Sequence, residues 1–366
     1  MDILNVGFIG LGLIGGSIAK ALRASMPDIR ITVYDIDENT LTRAKNEGVA
    51  NRAASVIDAS FSICDYIFLC APVSGNAENL MSLKQVLPPS CILTDVGSVK
   101  TGIHERIEDL GLDGQFIGGH PMAGSERYGY ANSKARLLEN AYYILTPTSK
   151  TPPDKLKDYQ KLVTAMGAIP LILDAKQHDY VTAAISHLPH IIASSLVNLV
   201  KESDSEDGTM KMIAAGGFKD ITRIASSSPD MWQQICLTNT DNIVRLLEHY
   251  IEALSAVREK LCAKDARVLY DFFNDARVYR DSFIEASSGP IKKSYSITID
   301  IADETGALAS IATMLALNNI SIKNIGIVHN RELEEGALRI EFYEEKDIAA
   351  ASQILQSRGY TIHAKK

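Results

Sequence analysis

Hydrophobic residues in the first hundred positions fall into short runs, and between the runs apolar positions recur with a helical period. Each run is bounded by turn residues, which predicts the buried strands of a parallel sheet. The predicted strands are 5–9, 29–34, 66–70 and 91–95, and the predicted helices are 17–24, 38–47 and 99–110. Strands that alternate with helices in this way are typical of a doubly wound α/β domain of the Rossmann type.

The pattern is helical from 177 to about 262. The stretch 178–201 is long and mostly apolar, and Pro189 within it is expected to kink the helix. Helices that are hydrophobic on nearly all sides are stable only when that apolar surface is buried. This all-helical domain is therefore expected to pack against a second copy of the chain in a homodimer.

The pattern changes again after 285–290. Strands are predicted at 294–301, 320–329, 337–343 and 360–363, with helices at 306–318 and 348–358. The order β-α-β-β-α-β predicts a ferredoxin-like α+β domain. We therefore expect three domains: a Rossmann domain over 1–170, a helical substrate and dimerisation domain over 171–285, and a third domain over 291–366.

Composition narrows the function classes. The net charge of −8 over 366 residues, with no dense Lys/Arg stripe, argues against nucleic acid as a partner. We expect no membrane partner, because no apolar run reaches the length of a bilayer span, and no signal peptide. The cysteines are scattered without metal-ligand spacing, which predicts buried free thiols, no metal site and a cytoplasmic location. A reactive thiol at Cys70 is the less favoured alternative.

A glycine fingerprint lies between the first strand and the first helix. Its spacing, G-x-G-x-x-G, comprises Gly10, Leu11, Gly12, Leu13, Ile14 and Gly15. The first glycine permits a tight turn, the second lets a pyrophosphate approach the backbone, and the third allows close helix packing. The fingerprint predicts a dinucleotide at the helix N-terminus.

Asp35 ends the second strand, 20 residues beyond Gly15, where an acid accepts hydrogen bonds from a ribose 2′-hydroxyl. An acid there repels a 2′-phosphate and favours NAD, although Arg30 and Arg43 keep NADP open. In the alternative interpretation Asp35 or Asp37 caps the helix that follows, and Asp37 suits that cap better. Further contacts to the cofactor are expected at the carboxyl ends of the next strands, from Ala71, Pro72 and Ser98.

The string 118–126 is too rich in glycine and proline for a helix or a central strand, yet it brings together an imidazole, a hydroxyl and a carboxylate. Its members of interest are His120, Ser125 and Glu126. A proton acceptor beside a nicotinamide is what oxidation of an alcohol requires, so His120 is the candidate base. Ser98 is a candidate either for capping the helix from 99 or for hydrogen bonding to the base or the substrate.

The helical region supplies candidate substrate ligands. Lys219 and Arg223 are one helical turn apart and share a face, and with Asp220 beside them they suit a dicarboxylate or, alternatively, a solvated ion-paired surface. His187 and His190 flank Pro189, which favours a pocket over the alternative of two core histidines. Trp232 is expected to anchor the core or a subunit interface.

Five strings together resemble the prephenate dehydrogenase family, which includes arogenate and cyclohexadienyl dehydrogenases. They are 10–16, 95–100, 119–126, 186–190 and 216–225, and the resemblance covers roughly 1–285. It implies a monofunctional enzyme that oxidatively decarboxylates prephenate to 4-hydroxyphenylpyruvate with NAD, in tyrosine biosynthesis.

The resemblance also implies roles for individual residues. His120 is the base, and Ser98 orients it or the substrate hydroxyl. His190 and Arg223 hold substrate carboxylate. Glu126 and Asp220 are implied to form an ionic gate with Arg223. Lys219 is implied to add positive potential. Ser125 and His187 are implied to make further contacts to the substrate.

The C-terminal strings 303–308 and 324–325 resemble an ACT domain, a regulatory module that binds amino acids. The implied effector site comprises Asp303, Thr305, Gly306, Ala307, Leu308, Asn324 and Ile325. Because the catalytic part is implied to make tyrosine, L-tyrosine is the expected feedback inhibitor. A plain dimerisation module, phenylalanine as effector and a tetramer formed through these domains are the alternatives.

Three other functions stay open at this point. Arogenate differs from prephenate only in carrying an amine in place of the side-chain keto group. A 3-hydroxyacid dehydrogenase shares the fingerprint and a helical second domain, but typically uses a lysine base. An inactive sensor of NAD or an amino acid is the alternative from outside the enzymes, and the intact set of His120, Ser98 and Arg223 argues against it.

Overall fold

A computed structural model describes residues 4–71, 73–124, 127–285, 295–301, 306–328 and 336–363. The predicted site residues Pro72, Ser125, Glu126, Asp303 and Thr305 lie outside these ranges. The chain divides into two compact units, Met1–Glu259 and Lys260–Lys366.

The first unit begins with a five-stranded parallel sheet in the order β3-β2-β1-β4-β5. Its strands are β1 (Asn5–Ile9), β2 (Arg30–Tyr34), β3 (Arg52–Ala54), β4 (Tyr66–Leu69) and β5 (Ile92–Asp95). The helices of this region are α1 (Leu13–Ser25), α2 (Glu38–Asn46), α3 (Val73–Lys84) and α4 (Thr101–Asp109). Apolar clusters pack around the sheet, in keeping with strands that read as nearly continuous hydrophobic runs. The predicted Rossmann-type domain is confirmed.

A second sheet, of three strands, follows. It consists of β6 (Ile117–Pro121), β7 (Tyr142–Pro147) and β8 (Ile169–Ile172), with α5 (Pro153–Ala165) between β7 and β8. No strand was predicted at β6, because glycine and proline are rare in strands. Pro121 is tolerated as the last residue of a strand at the sheet's edge, and a Cβ at Gly119 would lie 2.6 Å from the Asp95 carbonyl. The glycine therefore permits the close approach of β6 to the end of β5.

The helical region starts with α6 (Ala175–Thr182), a π-helical turn (Ala183–His187) and α7 (Leu188–Ser203). The remaining helices are α8 (Thr209–Ile213), α9 (Gly216–Thr222), α10 (Pro229–Thr238), α11 (Thr240–Ala263) and α12 (Ala266–Glu285). The break expected at Pro189 takes the form of the π turn just before it, and the proline lies in the first turn of α7, where its missing N–H is harmless.

The helical stretch Ala175–Ser203 is long and apolar enough, by length and composition alone, to cross a membrane. One such helix is weak evidence for a membrane span, because the core helix of a protein that does not cross a membrane passes the same test. The five cysteines are free, as predicted, but Cys262 is exposed and only Cys64 and Cys91 are fully buried.

The C-terminal elements are β9 (Tyr295–Ile301), α13 (Ala307–Leu317), β10 (Ile322–Val328), β11 (Gly336–Phe342), α14 (Lys346–Ser357) and β12 (Ile362–His363). The predicted succession of strands and helices is confirmed. The strands form an antiparallel sheet in the order β10-β11-β9-β12, and α13 and α14 contribute to the same apolar core through Leu315 and Leu355.

Candidate active site

The three fingerprint glycines have the three expected environments. Gly10 has a φ of +89°, and a Cβ there would lie 2.6 Å from the Ala71 nitrogen in the loop after β4. A Cβ on Gly15 would lie 2.8 Å from the Gly10 carbonyl, whereas one on Gly12 would meet no atom within 4 Å. Gly12 is the N-cap of α1, and among the described residues no side chain caps this helix and its first turn holds no acid. The backbone N–H groups there suit a phosphate.

Asp35 is held against the glycine loop. Its carboxylate accepts hydrogen bonds from the backbone N–H of Leu11, at 2.6 Å, and of Asp37, at 2.9 Å. Asp37 is the cap of α2, through its hydrogen bond from the Asn39 N–H, so the cap is assigned as predicted. Asp35 therefore stabilises the glycine loop, and it is half-buried at the carboxyl end of β2. These two hydrogen bonds were not predicted from the sequence.

The loop from β5 to α4 is organised by a buried ion pair. The Lys100 ammonium binds the Asp95 carboxylate and donates to the Gly119 carbonyl at 2.8 Å. The other Asp95 oxygen accepts from the Gly119 N–H at 3.1 Å. Burial lowers the pKa of Lys100, and the charge of Asp95 opposes that shift. Together these bonds fix the backbone that leads directly into His120.

Ser98 lies half-buried in this same loop, but it is not the cap of α4. The helix begins at Thr101, and its first N–H groups are bound instead by Asp179 on α6. Asp179 accepts from the Lys100 N–H at 2.7 Å and from the Thr101 N–H at 2.8 Å. A carboxylate from a distant helix therefore does the capping that was considered for a local serine.

His120 lies on β6 and is hydrogen-bonded to a second histidine. Its Nδ1 is 2.8 Å from Nε2 of His178, and the His178 Nδ1 is 2.8 Å from Oδ1 of Asp179. His178 and Asp179 are adjacent on α6 and almost fully buried, whereas part of His120 remains accessible. Three side chains from two parts of the chain thus form one hydrogen-bonded series.

The electrostatics of this series favour a neutral base. Burial lowers the pKa of His120 well below its ordinary value, and the nearby His178, Lys100 and His187 add to that shift. Burial tends to raise the pKa of Asp179, but hydrogen bonds from His178, Thr101 and Lys100 outweigh it and leave that pKa lowered. A neutral imidazole supported by an ionised carboxylate can accept a proton from an alcohol.

A second cluster surrounds Trp232. The ring of His190 stacks on the indole with centroids 3.6 Å apart, and the ring of His187 meets it edge-on at 6.0 Å. The His190 Nδ1 donates to the Ser186 carbonyl, which leaves Nε2 as its acceptor atom. Burial lowers the pKa of His187 to about 4, so both histidines are available as neutral groups.

Asn239 joins the two clusters. Its Nδ2 donates to the Asp179 carbonyl at 2.8 Å and approaches Nδ1 of His187 at 3.2 Å. Arg223 is close enough to His190 to help lower the pKa of that histidine. The structure therefore brings His120, His187, His190 and Arg223 into one neighbourhood.

The structure places the two predicted cationic residues, Lys219 and Arg223, on different elements. Lys219 is exposed on α9, which ends at Thr222, and Arg223 begins a separate 3-10 turn. The two residues are thus not on one continuous α-helix as predicted. Within the described ranges, no group of three His, Cys, Asp or Glu side chains could hold a metal ion.

Five residues of this site were missed from the sequence: Asp95, Lys100, His178, Asp179 and Asn239. Asp95 and Lys100 lie inside a string already singled out, so their place after a buried strand was the available signal. His178 and Asp179 had no such signal, because their partners are 58 and 79 positions away along the chain.

Comparison with known families and structures decides the assignment. Residues 18–170 match the model of the prephenate dehydrogenase nucleotide-binding domain, and 174–275 match that of the prephenate dehydrogenase dimerization domain. The chain belongs to the prephenate dehydrogenase family. The family predicted from the sequence is therefore confirmed, and a 3-hydroxyacid dehydrogenase is set aside.

Individual family members are similar over long stretches. Prephenate dehydrogenase of Bacillus subtilis is 37% identical over 351 residues, which is 95% of each chain. The crystal structure of the Aquifex aeolicus prephenate dehydrogenase with hydroxyphenyl propionate and NAD+ is 32% identical, with a TM-score of 0.73 over 77% of this chain and 99% of that one. Synechocystis arogenate dehydrogenase is 28% identical, with a TM-score of 0.69 over 76% of this chain and 100% of that one.

Proposed function

We propose that the protein oxidatively decarboxylates prephenate to 4-hydroxyphenylpyruvate with NAD. The observation that carries this proposal is His120: a partly accessible histidine, kept neutral by burial, in a member of the prephenate dehydrogenase family. The alcohol to be oxidised needs such an acceptor for its proton.

NAD fits the residues at the amino end of α1. The open space at Gly12 and the uncapped helix N-terminus suit the pyrophosphate, and Asp35 at the end of β2 suits the ribose hydroxyls. When bound, NAD accepts the hydride from C4 of the substrate. Ala71 and Ser98, in the loops after β4 and β5, face the same edge of the sheet.

The protein's own residues align the substrate and remove one proton. His120 takes the proton of the ring hydroxyl, while the ring becomes aromatic as CO2 leaves. His190 and Arg223 hold substrate carboxylate, and exposed Lys219 adds positive potential at the approach to the cleft. Ser125 and Glu126 are further proposed contacts to the substrate, and both lie outside the described residues.

Steady-state assays with prephenate and NAD test this function directly. The expected result is formation of NADH and 4-hydroxyphenylpyruvate in equal amounts by the full chain. NADP in place of NAD is expected to support a lower rate, since Asp35 repels a 2′-phosphate. The absence of turnover with either cofactor would instead favour a sensor that binds NAD without chemistry.

Arogenate is the second candidate substrate, because one of the similar structures is an arogenate dehydrogenase. It carries an ammonium group on the side chain, which an acidic partner would favour. The neutral histidines beside Trp232 favour the keto acid instead. Values of kcat/KM for the two substrates, measured on the same preparation, decide between them.

We further propose that the C-terminal region is an ACT regulatory domain. Its β-α-β-β-α-β order and its antiparallel sheet are those of a ferredoxin-like fold, and Gly306 precedes α13 with a φ of +92°. Ala307 and Leu308 lie in the first turn of α13, and Asn324 and Ile325 lie on β10. These are the described members of the expected effector site.

L-tyrosine is the effector that best matches an enzyme of its own biosynthesis. Calorimetry on the full chain is expected to show tyrosine binding, with inhibition of prephenate turnover over the same concentration range. L-phenylalanine, titrated in parallel, is the control for an effector of the same size without the hydroxyl. Binding of neither amino acid would leave the domain as a plain assembly module.

A further inference from the structure

The hydrogen-bonded series of His120, His178 and Asp179 has a definite direction. Asp179 receives two backbone N–H bonds, which can only donate, and its lowered pKa keeps it an acceptor. The Nδ1 of His178 must therefore donate to it. With its proton on Nδ1, the His178 ring presents Nε2 as an acceptor.

The same reasoning fixes the proton on the next ring. Because Nε2 of His178 accepts, Nδ1 of His120, at 2.8 Å, must be the donor. The lone pair of His120 is then on Nε2. Among the described residues, the hydrogen bond of the His120 side chain is made by Nδ1, to Nε2 of His178.

We propose that His178 and Asp179 are positioning residues that hold His120 in the tautomer whose Nε2 takes the proton of the substrate hydroxyl. This inference rests on the proposed dehydrogenase function and adds to it the residues that prepare the base. The arrangement divides the work as in serine protease triads, where a buried carboxylate orients an imidazole, here with a second imidazole between them.

The reaction balances with these roles. The hydroxyl proton goes to Nε2 of His120 as the C4 hydride goes to NAD. The electron pair of the bond to CO2 then enters the ring and leaves a phenolate, which takes the proton back from the imidazolium to give the phenol product. His120 becomes an imidazolium whose Nδ1–H still donates to His178, and His178 still donates to Asp179. The carboxylate thus stabilises the developing positive charge through a neutral ring.

Other charged groups surround the series. Lys100 and His187 disfavour a positive charge on His120, and the Lys100 charge is itself paired with Asp95. His104 on α4 interacts electrostatically with Lys100, Asp95, Asp179 and His178, but it hydrogen-bonds Thr146 instead. Asp179 is therefore the carboxylate joined to the base through the His178 ring.

Two substitutions of His178 separate orientation from packing. In His178→Leu, Nδ1 of His120 has no acceptor, and kcat is expected to fall roughly 10²-fold with little change in KM for either substrate. In His178→Gln, the amide oxygen can still accept from Nδ1, so the fall should be smaller, about tenfold. His104→Gln is the matched control, because His104 is a half-buried histidine that lies outside the series. This variant should keep kcat within about twofold of the unsubstituted protein.

A pH profile distinguishes positioning from structural support. Asp179→Asn removes the negative charge that favours the imidazolium, so the acidic limb of kcat should move to lower pH while kcat falls. Thermal denaturation identifies the folded variants. Equal kcat for folded His178→Leu and the unsubstituted protein, or an unmoved limb in folded Asp179→Asn, would overturn the inference.

Nitrogen NMR of histidine-labelled protein gives a readout that needs no turnover. The His120 signal, assigned by its loss in His120→Asn, is expected to show the Nδ1–H tautomer and to lose that preference in His178→Leu. An Nε2–H tautomer in the unsubstituted protein would overturn the inference even if prephenate is the substrate. Failure of the proposed function alone would show as no turnover with this tautomer intact.

Discussion

His120 shows how one side chain acquires its chemistry from neighbours that are remote in sequence. Its own strand supplies only the position at the sheet edge, while burial and the adjacent His178, Lys100 and His187 lower its pKa. The sequence made this imidazole the candidate base, because an imidazole in a Gly/Pro string has no evident structural purpose. It did not identify the support, because hydrogen bonds over 58 residues leave no local pattern.

Replacing the base tests the residue scale most directly. His120→Asn should lower kcat by roughly 10²–10⁴-fold, because the proton acceptor is lost while the side chain stays polar and of similar size. NAD affinity, measured by fluorescence quenching, should change little. Retention of full turnover by a folded variant would show that another group removes the proton.

The pH dependence follows from the sign of the His120 shift. The base works only when neutral, and its pKa is lowered from 6.5, so kcat should persist as the pH falls through 6.5 and decline only below it. Rates at saturating prephenate and NAD, measured in buffers of constant ionic strength, give the limb. A limb centred above pH 7 would contradict the burial of this imidazole.

At the scale of elements, four of the five parallel strands were predicted almost to the residue, and the short strand β3 was not predicted. β1 matches its prediction at both ends, and β2, β4 and β5 each differ from theirs by one residue at a single end. These strands are easy to predict because both faces of a parallel sheet are covered, so each strand is a nearly continuous apolar run between turn residues. The sheet of β6 to β8 was missed where Gly119 and Pro121 oppose strand propensity and tertiary contacts override it.

The N-terminus of α1 provides a test of the cofactor site. Among the described residues, no atom lies within 4 Å of the methyl group that Gly12→Ala adds, so the melting temperature should stay nearly unchanged. The same methyl group occupies the proposed approach of the pyrophosphate, so the Kd for NAD should rise, by roughly tenfold or more.

Gly114→Ala is the matched control, because its Cβ also meets nothing within 4 Å and it precedes β6 at the end opposite His120. Calorimetric titration of both variants with NAD makes the comparison. Equal affinity of the Gly12 variant and the control would remove the pyrophosphate from this position.

At the scale of the whole molecule, the region matched by the dimerization-domain model leaves large apolar side chains uncovered within one chain. In α11, Ile251 is 54% exposed and Leu254 is 50% exposed. Apolar surface of this kind marks a protein–protein interface. The sequence predicted a subunit interface because these helices are hydrophobic on nearly all sides. It did not show which helix faces are exposed in a single chain.

A charge in that surface should disrupt the proposed homodimer. Ile251→Lys is expected to lower the mass measured by analytical ultracentrifugation from twice 39.9 kDa towards that of one chain. Ile36→Lys, at a residue that is 91% exposed beside β2, is the control and should leave the mass unaltered. A dimer that persists in folded Ile251→Lys would place the contact elsewhere.

The link between His120 and His178 crosses from the region matched by one family model to the region matched by the other. A catalytic centre that uses both imidazoles, as proposed, therefore needs both regions of the chain. Chimeras assembled from two relatives at the junction between these regions would inherit a base from one parent and its supporting ring from the other. On this proposal, such a chimera would be active only if its two imidazoles still meet.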